Sequence, residues 1–103
     1  MRPASFPTVD EPSELAIEIG MIERARRALQ TGRASAAIAE AEAYAGRFPK
    51  GQFGPEMAYI RMEALERQGN HEGARQAARD LVARHPSGPQ LLRAQQILER
   101  EKE

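Results

Sequence analysis

Gly32 and Gly69, Ala37 and Ala74, and Pro49 and Pro86 all stand 37 residues apart, within one longer internal match. Setting residue n against n+37 also pairs Arg24 with Arg61, Ala41 with Ala78, Arg47 with Arg84 and Gly51 with Gly88. A period between about 20 and 50 residues restricts a chain to stacked units, each too small to bury its apolar face alone. The paired residues define the unit as a helical hairpin. Gly32 and Gly69 can take the positive φ that ends one helix and turns into the next. Ala37 and Ala74 permit two helices to approach closely, and Pro49 and Pro86 stop the second helix.

The apolar spacing places five helices around this punctuation. Residues 1–11 hold Pro3 and Pro7 without any period and read as an extended tail. Pro12 and Ser13 start a helix, with Glu11 and Glu14 favouring its N-terminal dipole. Leu15, Ile19, Ile22, Ala25 and Leu29 recur at helical spacing to Gln30, and a second stripe of Ile17, Met21 and Ala28 widens the face. The next helix covers about 34–48 on Ala37, Ile38, Ala41, Tyr44, Ala45 and Phe48. A third begins near Gly54-Pro55, where proline's missing N–H costs nothing, and carries Met57, Ala58, Ile60, Met62, Ala64 and Leu65.

Asn70 caps a fourth helix, which runs to about His85 on Ala74, Ala77, Ala78, Leu81 and Val82. Ser87, Pro89 and Gln90 form a capping-box pattern for a last helix, with Leu91, Leu92, Ala94, Ile97 and Leu98 as its buried side. No segment alternates with period two, so the expected class is all-α. One domain over 12–103 contains hairpin 13–49, hairpin 54–86 and a capping helix over 89–101. That arrangement is a short α-solenoid of about two and a half hairpins.

Composition narrows the function. A chain of 103 residues can bury roughly 60–70% of its unfolded surface. Aromatics make up only 5% and alanine dominates residues 34–45, so the core must consist of closely spaced helices. Lys+Arg and Asp+Glu are equal at 15 each, without the basic excess that displaces counterions from nucleic acid. Only Lys50 and Lys102 are lysines, an arginine bias that points to a GC-rich bacterial genome. Cysteine is absent, which excludes a disulfide framework, a thiolate metal site and a cysteine nucleophile. No run approaches the roughly 18 apolar residues of a membrane span, and the start lacks a secretory apolar region. The opening Pro-containing stretch resembles the end of a linker, as in an excised domain. The compartment stays open: periplasmic for a piece of a membrane-anchored protein, cytoplasmic for a complete one.

With Gly32, Ala37 and Pro49 in one copy and Gly69, Ala74 and Pro86 in the other, residues 18–86 resemble the tetratricopeptide repeat family. The longer period and the endings Arg-Phe-Pro-Lys-Gly and Arg-His-Pro-Ser-Gly are similar to a bacterial subtype found in cell-envelope proteins. The chain departs from the family pattern at three positions. These hold Met21 and Ala58, Arg24 and Arg61, and Ala41 and Ala78. The resemblance implies a groove lined by the first helix of each hairpin, here Ile22, Arg26, Gln30, Tyr59, Glu63 and Arg67. It does not extend to a peptide-carboxylate clamp, because Ile22 with Arg26 and Tyr59 with Glu63 lack the Lys and Asn that form one. The other reading makes Ile22 and Tyr59 core or cap contacts, with Arg26, Glu63 and Arg67 solvated.

The remaining polar residues carry no recognisable chemistry. Arg24 and Arg61 either offer guanidinium forks to a partner, pair with nearby acids such as Glu23 or Glu63, or lie over alanine surface. His85 occupies the position of Phe48 and is expected to pack at a helix end, while His71 with Glu72 is too small a set for zinc. No nucleophile triad or phosphate loop is identifiable, so no enzyme, metal or cofactor is expected. The expected function is a protein- or peptide-binding scaffold within a larger bacterial envelope or regulatory protein. Self-assembly into a homodimer is the alternative. Neither nucleic acid nor membrane insertion is expected.

Overall fold

The computed structural model describes residues 13–100. The expected tail over 1–11, together with Pro12 and the last residue of the capping helix, lies outside them. Among the described residues the protein is all-α, with α1 Glu14–Gln30, α2 Ala34–Arg47, α3 Gly54–Arg67, α4 His71–Arg84 and α5 Gln90–Arg100.

The 37-residue repeat is realised down to its backbone angles. Gly32 and Gly69 adopt φ of 79° and 80°. Beside them, Arg33 N bonds Ala28 O at 2.8 Å and Asn70 N bonds Leu65 O at 3.0 Å, the same six-residue closure at equivalent positions. Phe48 and His85 close α2 and α4 with φ/ψ of −128°/67° and −132°/72°. His85 is therefore a half-buried helix cap, as its correspondence with Phe48 predicts. The cap side chains differ between copies: Asn70 accepts Gly73 N at 3.0 Å, whereas Arg33 makes no side-chain cap bond. Ser13 caps α1 by accepting Ala16 N at 3.1 Å.

Each helix packs on its chain neighbours, and α3 also touches α1 and α5. The equivalent second helices, α2 and α4, do not approach each other within 8 Å between Cα atoms. Flanked on two sides, α3 buries Met57, Ile60, Met62, Glu63, Ala64 and Leu65, and contributes to both clusters of the core. Nine of the eighteen buried apolar residues are alanines, including Ala25, Ala37, Ala64, Ala74, Ala78 and Ala94 at 0% exposure. Small side chains at the contacts bring helix axes toward the short end of the usual 8–10 Å separation.

Three local expectations fail for physical reasons. The inward stripe of α1 is Glu18, Met21, Ile22, Ala25 and Ala28, while Leu15 and Ile19 are 43% and 38% exposed. Those two project to the side where none of the described elements packs. On α5 the buried residues are Ala94 and Ile97, Leu91 and Leu98 are half-buried, and Leu92 is 65% exposed. Adjacent Leu91 and Leu92 point 100° apart, so both cannot face the one neighbouring surface that Ala94 and Ile97 occupy. The Ser87–Gln90 capping box does not form, because α5 begins at Gln90 and Leu91 N bonds Gly88 O instead.

Candidate functional site

Burial of Glu18 is the feature that sequence spacing misses most completely. Its Oε1 accepts the Tyr44 hydroxyl at 2.7 Å and Gln52 N at 3.0 Å, and Tyr44 Oη in turn accepts Phe53 N at 2.8 Å. This network fastens α1 and α2 to the loop that leads into α3. Burial, followed by the bond to Glu18, pushes the Tyr44 hydroxyl up to about 12. Tyr59 is also raised, by burial first and then by the negative charge of Glu63.

The sign for alkaline stability follows from Tyr44. The unfolded chain releases that proton near pH 10, while the folded chain holds it until about 12. Stability is thus full below pH 10 and is lost as pH rises from 10 to 12, by about 2–3 kcal/mol. The chain has two tyrosines and no tryptophan, so absorbance at 295 nm reports them cleanly. In a titration at low temperature, Tyr44 should stay protonated at pH 10 while the helical circular dichroism persists. Ionisation of both tyrosines there in the folded protein contradicts the network.

The face formed by the first helices is laced by ion pairs. Arg26 on α1 grips Glu56 on α3 with two bonds of 2.5 and 2.6 Å. Glu63 on α3 is gripped by Arg93 on α5 at 2.7 and 3.1 Å. These are the same contact one repeat later, since 26+37 is 63 and 56+37 is 93, with the charges exchanged. Glu66 receives His71 and Arg100. Burial opposes its charge, but those two bonds outweigh it and hold the carboxyl below its usual range. Arg67 donates to Leu29 O at 2.7 Å.

The charge exchange makes a direct prediction. Arg26→Glu should cost about 0.5–1 kcal/mol, because an exposed pair becomes a repulsion. Adding Glu56→Arg should restore most of it, since the second junction already uses that polarity. At that second junction Glu63 is 8% exposed, so Arg93→Ala should cost about 2 kcal/mol by stranding a nearly buried carboxylate. Urea melts of the three variants against the wild type decide. A double exchange less stable than Arg26→Glu alone would show that the two junctions are not equivalent.

These pairs redefine the groove inferred from the resemblance. Ile22 is 1% exposed and belongs to the core. Arg26, Glu63 and Arg67 are engaged within the chain, Gln30 is exposed, and half-buried Tyr59 lines a small cleft of about 370 Å³ with Leu92 and Arg93. The structure brings Tyr59 beside Glu63 but does not assemble the six residues into one open surface. Arg24 and Arg61 do not pair with Glu23 or Glu63. They reach α2 from two sides, to Glu40 at 3.1 Å and Glu42 at 3.2 Å.

The larger concavity lies on the opposite side of α3, in the gap left between α2 and α4. It encloses about 670 Å³ over a floor that includes Ala41, Met57, Ala58, Ala77 and Leu81. Its rim carries Glu42, Lys50, Arg61, Asp80, Arg84 and His85. Of these, Glu42 is taken by Arg61, and Asp80 accepts Gln76 at 3.2 Å. Periodicity offers one clue to this site. Ala45 lies on the apolar stripe of α2 but is exposed, and it lines this gap. No set of three or more His, Cys, Asp or Glu that could hold a metal occurs among the described residues. No helix of the described residues is long and apolar enough to cross a membrane.

Residues 13–87, which comprise both hairpins, match the family described as "Protein of unknown function (DUF2379)", and the chain belongs to that family. None of the curated proteins and none of the solved structures compared with the chain matches it.

Proposed function

We propose that this chain is a non-catalytic protein-interaction module, a short α-solenoid of tetratricopeptide-like hairpins that takes a partner between its second helices. The gap between α2 and α4 carries the reading: an open groove of about 670 Å³ at which exposed Ala45 and Pro49 and half-buried Phe48 and Ala58 offer apolar surface. Specific binding sites are concave, mostly apolar and edged by a few polar groups. The stacking supports the solenoid, because the α1–α3 contact recurs as α3–α5 after one 37-residue step. The arginine bias and the Arg-Phe-Pro and Arg-His-Pro endings support a place within a larger bacterial envelope or regulatory protein.

Photo-crosslinking in the source cell tests this. A benzophenone amino acid at Ala45, in the groove, should give a discrete protein adduct, and one at Gln30, on the ion-paired face, should not. Adducts at Gln30 alone, or at neither position, would reject the groove.

Self-association is a second reading, favoured by Leu92, which is 65% exposed on the last helix. Sedimentation equilibrium separates the two. A dimer that Leu92→Glu converts to a folded monomer supports self-assembly, and a monomeric wild type excludes it.

A further inference from the structure

The α2/α4 groove is unevenly charged, and the imbalance selects a partner. Its rim acids are already bonded, Glu42 to Arg61 and Asp80 to Gln76. Lys50, Arg84 and His85 bond no acid among the described residues. All three stand at the same end. Lys50 follows the α2 cap Phe48 by two residues, Arg84 is the last residue of α4, and His85 is its cap. The His85 ring lies near the start of α3, within 3.9 Å of where a Cβ on Gly54 would be.

We propose that the groove binds an apolar peptide segment of a partner protein that carries acidic residues at one end, with those acids against Lys50, Arg84 and His85. This rests on the interaction-module reading and adds to it the chemistry and direction of the ligand. Exposed Ala45 and Pro49, with half-buried Phe48 and Ala58, supply apolar contact that a free phosphate or a nucleic-acid backbone does not use. A chain with no net charge also gives nucleic acid no wider field to follow. Charge at one end of such a groove fixes orientation and selects among partners more than it adds affinity.

Peptide display on the full chain, followed by anisotropy titrations with the selected peptides labelled with fluorescein, tests this. Selected sequences should carry two or more Asp or Glu beside an apolar run. Lys50→Glu with Arg84→Glu should weaken them about tenfold or more. Peptides with Lys in place of the acids should regain binding to that double variant, which also shows that it folds. Ala45→Trp, at an exposed groove position, should block both sets, and Arg26→Glu on the opposite face should change neither. Peptides that Ala45→Trp blocks but that show no acidic preference, or no response to charge reversal, overturn this inference and leave the module reading standing. Failure to select any peptide, or binding indifferent to Ala45→Trp, overturns both. Binding of single-stranded RNA or anionic-lipid vesicles at the same groove, in place of peptides, also overturns it.

Discussion

Gly51→Ala is expected to destabilise the domain by about 2–4 kcal/mol, among the larger effects of adding one methyl group. Gly51 has no positive φ, so backbone strain plays no part. The reason is space. A Cβ there would lie 2.2 Å from Tyr44 Oη, 2.6 Å from Glu18 Oε1 and 2.8 Å from Tyr44 Cζ. Tyr44 is 1% exposed and Glu18 7%, so neither can retreat without breaking the bonds to Gln52 N and Phe53 N. Buried polar groups left without partners cost about 1–3 kcal/mol each. Tyr44→Phe alone should cost about 1–2 kcal/mol, and in the Gly51→Ala background much less, because the network is already open. Thermal melts of the three variants measure this, and additive effects would show that Gly51 and Tyr44 do not share one site. Gly88, its counterpart 37 residues on, would meet only Gln90 Oε1 at 3.2 Å, but its φ of 118° is one that a side chain strains, so a loss there has a backbone cause and not the steric one of Gly51.

Ala37→Leu and Ala74→Leu should each cost about 1–3 kcal/mol by overpacking. Both alanines have 0% exposure, and each faces the first helix of its own hairpin within an alanine-rich contact. The three added carbons have no void to enter, so the helices must separate or neighbouring rotamers must strain. Denaturant unfolding monitored by circular dichroism measures the loss. If both variants melt with the wild type, these positions do not set the helix spacing. Ala45→Leu is the internal control: Ala45 is exposed and lines the open groove, so it should change stability by less than about 0.5 kcal/mol.

Sequence alone was sufficient for the local half of this protein. Helix spans, the Gly32 and Gly69 turns, the Ser13 and Asn70 caps and the buried alanines depend on spacing within a few residues. Their signals are therefore printed in the chain. Expectations failed where a helix has fewer neighbours than its apolar content suggests, as at Leu15, Ile19 and Leu92. Periodicity shows that a face is apolar but not whether anything lies against it.

Only tertiary structure decided the pairs that join distant segments. Glu18 meets Tyr44 across 26 residues, and Arg26–Glu56 and Glu63–Arg93 each span 30. A charge on a helix face carries no mark of its partner on the next helix. The exchange of sign between the two junctions hides even the repeat that relates them. The same stacking decided where the surface opens. Holding α1, α3 and α5 in contact spreads α2 from α4 and moves the groove away from the face that the family resemblance implied. That gap is set by how whole helices pack, and no single residue in the chain encodes it.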